Sequence, residues 1–72
     1  MQVLEHLTIE TEREDDGRWI AEVLKMPGVL VYGDSQQVAV SRVQALALRV
    51  IADKLEHGEI TSSLASLTFV AA

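Results

Sequence analysis

From residue 35 to residue 57 the chain keeps a helical period, and it carries more apolar surface than one packed helix face uses. At about 100° per residue, Ala39, Val40, Val43, Leu46, Ala47, Val50 and Ile51 share one broad face. Ala45, Leu48, Ala52 and Leu55 line up as a second strip, and Arg42, Arg49, Asp53 and Glu56 take the wet side. Gly58 follows as the residue that closes the helix. The broad face must lie on something, and the rest of the chain reads as strands. One helix on one sheet has no internal use for two strips. Leu48 and Leu55 are therefore candidates for contact with another chain. The competing reading packs that strip under "EITSSL" or the chain ends.

The segment "LTIETERE" alternates, with Leu7, Ile9 and Thr11 on one side and Thr8, Glu10 and Glu12 on the other. That is a strand with one wet face. "RWIAEVL" follows "DDG", and two hairpin registers are open. A two-residue turn at Asp16-Gly17 pairs Arg13 with Ile20 and Thr11 with Glu22. A three-residue loop, Asp15-Asp16-Gly17 with Gly17 left-handed, pairs Ile9 with Val23, Thr11 with Ala21 and Arg13 with Trp19. A slip of one residue flips a whole strand, and only the second register gathers the apolar residues on one face. The second register is the one expected, with Glu14 opposite Arg18.

The second strand ends at Leu24, Lys25 and Met26. Pro27 lacks the N–H a ladder uses and Gly28 accepts a positive φ, so the chain turns into a third strand over residues 29–33. Gly33 ends that strand, and Asp34 or Ser35 caps the helix. Asp34 with Gln37 three residues on would complete a capping box. "ASLTFV" closes the chain as a fourth strand. Successive hairpins and a right-handed crossover give an α+β class: β-β-β-α-β, a four-stranded mixed sheet with one long helix on one face. The fourth strand is expected beside the first. Glu10, Glu12, Glu22 and Ile20 are left on the face the helix does not cover.

A chain of 72 residues makes one domain, 1–72, near the lower size limit for folding alone. It has no cysteine to staple it, yet 49% of it is hydrophobic. Some apolar surface is therefore expected to be buried against a second copy, a partner, or both. The first residues lack the basic head and apolar run of a signal peptide. "VQALALRVIA" is too short to cross a bilayer. A soluble cytoplasmic protein without membrane contact is expected.

The net charge is −5, and Glu5, Glu10, Glu12, Glu14, Asp15, Asp16 and Glu22 crowd the first third. The 6 Lys and Arg cluster nowhere, which argues against direct nucleic-acid binding. An acidic body suits a basic protein partner, or simply keeps the chain soluble.

Catalytic patterns are weak. His6 and His57 lie on separate elements without metal-ligand spacing. The serines sit in no nucleophile elbow, and the glycines form no phosphate cradle. Glu10, Glu12 and Glu22 on one sheet face invite the thought of Mg²⁺, but a wet strand face places them there by default. No cofactor and no enzymatic activity are expected. Trp19 falls on the helix-facing side in the chosen register. Tyr32 is open to core packing or partner contact.

The stretch "EDDGRWIAEVLKMPGVLVYGDSQQVAVSRVQALAL" resembles the HicB-like antitoxin family. Asp16-Gly17, Trp19-Ile20-Ala21, Pro27-Gly28, Gly33-Asp34-Ser35, Ala39 and Ala45 fall on that family's pattern. Met26 and Val29 depart from its leucine and cysteine, and Gln37 and Val38 from its paired glutamates. Val38 cannot complete a capping box with Ser35. The resemblance implies a truncated ribonuclease H fold. It also implies a non-catalytic module that binds and blocks a small basic toxin, an mRNA interferase. Many members append a DNA-binding segment. Only two alanines follow Val70 here, so the expected member neutralises protein without binding DNA. Short members also stand alone, which leaves an oligomeric structural or regulatory domain as the alternative.

Overall fold

The computed structural model of the chain describes residues 2–58 and 63–72, and the side chains of 6–58 and 67–72. In chain order the elements are β1 (Gln2–Arg13), β2 (Trp19–Val23), β3 (Leu30–Gly33), α1 (Gln36–Glu56) and β4 (Ser63–Ala71). They form one four-stranded sheet in the order β3-β2-β1-β4, with α1 across β3, β2 and β1. The β1–β2 and β2–β3 pairs are antiparallel, and β4 runs parallel to β1. The expected mixed α+β sheet is thus observed, with β4 beside β1.

The β1–β2 hairpin takes the three-residue loop. Ile9 faces Val23, Thr11 faces Ala21 and Arg13 faces Trp19. The Glu14 N–H donates to the Arg18 carbonyl at 2.7 Å, and Gly17 has a φ of +90°. A positive φ suits glycine, which has no Cβ to clash. The register therefore follows from burial and from the turn together.

The second turn differs from expectation. β2 stops at Val23 rather than running to Met26. The Met26 N–H donates to the Val23 carbonyl at 3.1 Å, so residues 23–26 already turn. A second turn follows at once: the Val29 N–H donates to the Met26 carbonyl at 3.0 Å, with Gly28 at φ +83°. Pro27 and Gly28 hold the two central positions of a type II turn. Val29 falls just outside β3, but its carbonyl accepts from Val23 at 3.0 Å and its side chain is buried.

Leu7, Ile9, Ala21, Val23, Val29, Ala39, Val43 and Ala47 form the core. Trp19, Met26, Val31, Val40, Leu46, Val50, Ile51, Leu67 and Phe69 pack around it. The broad helix face lies on the sheet as its spacing requires. Ser35, not Asp34, is the N-cap: its hydroxyl accepts from the Val38 N–H at 3.1 Å. An extended backbone at Ser35 places that oxygen over the free N–H groups of the first turn. At the other end the Gly58 N–H donates to the Leu55 carbonyl at 3.3 Å with φ +71°, the closure expected of a C-terminal glycine.

Gly33 has a reason that strand termination alone does not supply. A Cβ placed there would meet the Ala39 backbone nitrogen at 2.5 Å and its Cα at 2.9 Å. Glycine and alanine at these two positions let the start of α1 descend onto the sheet.

Candidate protein-binding surface

Strand alternation sorts the open face of the sheet. On β1 it presents Thr8, Glu10 and Glu12, and on β2 Ile20 and Glu22. On β3 it presents Leu30 beside Glu22 and Tyr32 beside Ile20. Glu10 stands directly opposite Glu22, and Glu12 opposite Ile20. Glu10 and Glu12 are exposed; Glu22 and Ile20 are half-buried. Together with Glu14 these residues line a shallow hollow of about 140 Å³.

Like charges directly opposite in an antiparallel pair oppose folding by roughly 0.2–1 kcal/mol. Nothing nearby relieves this one. Among the described residues the ion pair is Arg18 with Asp16 at 2.8 Å, His57 Nδ1 lies 3.2 Å from the Asp53 carboxylate, and neither contact reaches Glu10, Glu12 or Glu22. Also among the described residues, no three His, Cys, Asp or Glu side chains converge as a metal site requires. No helix there is long and apolar enough to cross a membrane.

Arg13, between Glu12 and Glu14 in sequence, falls by strand alternation on the helix side, paired with Trp19. Arg18, two residues before Ile20, is engaged elsewhere. Its backbone N–H and its Nε both donate to the Asp16 carboxylate, at 3.0 and 2.8 Å. These bonds hold the Asp16 carboxyl below the usual carboxylate range. The guanidinium also lies 4.5 Å from the centre of the Tyr32 ring, a cation–π contact. Arg42 donates to the Tyr32 carbonyl at 3.1 Å. The first hairpin's turn is thereby tied to β3. Tyr32 ends 40% exposed on the open face, and Leu30 beside it matches that exposure.

The candidate residues fall into two separate surfaces. Glu10, Glu12, Glu22, Ile20 and Tyr32 share the open sheet face. Leu48 and Leu55 lie on the outer side of α1, away from the sheet, at 47% and 40% exposure. Ala45 and Ala52 are exposed with them, so none of the strip is covered by residues 6–58 or 67–72. Residues 59–62 of the "EITSSL" segment lie outside the described residues. Val38, 38% exposed, extends the strip by two turns, and its position seven residues before Ala45 was legible in the spacing. Leu30 also escaped the sequence reading, although its parity with Tyr32 places it on the same face. Gly17, Pro27, Gly28 and Gly33 serve turns and close packing, Ser35 caps α1, and Asp34 is exposed just before it. Trp19 sits half-buried against the core on the helix side. Compared with models of protein families, with curated proteins and with solved structures, the chain finds no match in any of the three.

Proposed function

We propose that this chain is a non-catalytic protein-binding module of the cytoplasm whose open sheet face receives a small basic protein. The reading follows the HicB-like resemblance of the segment from Asp16 to Ala45, in which the partner is an mRNA-interferase toxin. The observation that supports it is the juxtaposition of Glu10, Glu12 and Glu22 beside Ile20, Leu30 and Tyr32, with no cation paired to the glutamates among the described residues. A partner lysine or arginine placed over the Glu10–Glu22 pair replaces repulsion with attraction. The apolar rim supplies area that charge alone lacks, and Tyr32 is held ready by Arg18, which lowers the ordering cost.

The test is co-expression with the reading frame adjacent to this chain's gene, scored for growth and for a co-purifying complex. Rescue of a growth arrest together with co-purification is the expected result. Reversing Glu10 and Glu12 to lysine should then weaken the complex at low salt by at least about tenfold. Unchanged affinity would remove the acidic face from the account.

A second reading, a stand-alone oligomeric structural or regulatory domain, is favoured by the exposed strip of Val38, Ala45, Leu48, Ala52 and Leu55. A harmless neighbour protein that leaves this chain purifying only with itself would select it.

A further inference from the structure

The two edges of the sheet are finished differently. β3 is four residues long, follows the Pro27-Gly28 turn and ends at Gly33 under α1. Short edge strands with an adjacent proline are how proteins discourage further pairing. β4 is nine residues long, "SLASLTFVA", with no charge, proline or glycine. Among the described residues it is held on one side only, by β1.

Which backbone groups face outward can be read from its last bond. The Ala72 N–H donates to the Ile9 carbonyl at 2.9 Å. Alternate residues of a strand turn both backbone groups to the same side. Residues 68, 70 and 72 therefore bond to β1, and Leu67, Phe69 and Ala71 present N–H and C=O to the free edge. Just inside that edge, α1 leaves β4 uncovered. Val40, Ile51, Leu67 and Phe69 are only half-buried. A groove of about 300 Å³ opens between Val40 and Gln44 on the helix and Phe69 and Ala71 on the strand.

We propose that a second copy of this chain pairs antiparallel along β4, about a two-fold axis at Phe69, and makes one continuous eight-stranded sheet. In that register Leu67 meets Ala71 of the second copy, and Phe69 meets its own counterpart. These are the residues whose backbone groups face outward, so roughly six hydrogen bonds form without breaking any to β1. The two Phe69 rings meet across the axis over the uncovered groove, where a cross-strand aromatic pair adds to the burial.

Charge selects the occupant. Two copies of a protein of net charge −5 repel wherever their acidic surfaces meet. β4 carries no charge at any position, so pairing there sets no like charges opposite one another. A basic partner gains nothing at a neutral strand and is drawn instead to Glu10, Glu12 and Glu22. The paired segment, residues 67–71, spans only about 17 Å. With its flanks it stays below the roughly 1,600 Å² of a standard interface. A reversible dimer with micromolar dissociation is the corresponding expectation. This proposal does not rest on the toxin reading, because it uses neither the acidic face nor a second protein.

Sedimentation of the purified chain from about 5 to about 500 µM tests it, with hydrogen exchange at the top concentration. A dimer is expected there, with the amides of Leu67, Phe69 and Ala71 slowed at least about 100-fold relative to the lowest concentration. Ala71→Pro removes an N–H that only the second copy uses, and should give a monomer with native circular dichroism. Phe69→Cys, in a chain without other cysteines, should cross-link to itself on mild oxidation, because narrow pairs have a suitable Cα separation. A wild-type monomer at about 500 µM overturns the proposal. So does fast exchange of those three amides in a wild-type dimer, a readout that needs no variant to fold. A dimer abolished by Leu48→Glu and untouched by Ala71→Pro overturns it in favour of the helix strip.

Discussion

β1 and β2 supply both faces of the sheet from alternate residues, and the two faces obey different physics. Toward the helix, Leu7, Ile9, Ala21 and Val23 are buried and touch Val43 and its neighbours in one apolar cluster. Toward the open side, one residue away along the same backbone, Glu10 faces Glu22. The covered face is held by close packing, so changes there are felt as stability. The open face holds a repulsion that folding tolerates, so changes there are felt as binding and as salt dependence. A protein optimised only for stability would not keep that arrangement.

The contrast can be broken hardest at Gly33. Its missing Cβ lies 2.5 Å from helix backbone rather than from a yielding side chain. Gly33→Ala should therefore displace α1 and destabilise by about 3 kcal/mol or more in urea unfolding. A loss under about 1 kcal/mol would mean that the helix slides freely on the sheet. Next in size is Val43→Ala, at a fully buried position in the middle of the covered face. About 2 kcal/mol should be lost, several times the effect of Ile20→Ala across the sheet.

On the open face the sign should reverse. Glu22→Gln removes the charge opposite Glu10 and keeps the shape, so stability should rise by roughly 0.2–1 kcal/mol. The gain should shrink as salt rises. A loss on Glu22→Gln would show that a cation already sits over the pair. The smallest effect belongs to the loop that joins the two strands. Arg18 lowers the Asp16 carboxyl below its ordinary value of about 3.9. That contribution is full above about pH 4 and is lost as the pH falls through the lowered folded value. Urea unfolding between pH 5 and 2 should show a shallow acid limb that Arg18→Ala reduces without removing, because the backbone N–H of residue 18 still donates to Asp16.

Much of this is legible in the sequence. The alternation of Leu7, Ile9, Ala21 and Val23, with Gly17 at the turn, selected the hairpin register. The crossover's handedness placed β4 beside β1. Other features were not legible. Nothing local distinguishes Asp34 from Ser35 as a cap; the extended backbone at Ser35 decides it by aiming the hydroxyl at Val38. Nothing local shows that Lys25 and Met26 leave the ladder, because two consecutive turns use residues that strands also use.

Local sequence sets the period of each segment, the places where the chain reverses, and which side chains share a face. These are properties of neighbours along the chain, set by a two-residue or 3.6-residue repeat and by glycine and proline. Long-range packing set what lies beside what. It brought Ala39 onto Gly33, stacked Arg18 on Tyr32, set Leu48 and Leu55 on the side opposite the glutamates, and left the outward groups of Leu67, Phe69 and Ala71 without a partner among the described residues. Each of these depends on how a helix of 21 residues sits over a sheet that it covers only from β3 to β1. That placement arises from packing between distant residues, which no local repeat encodes.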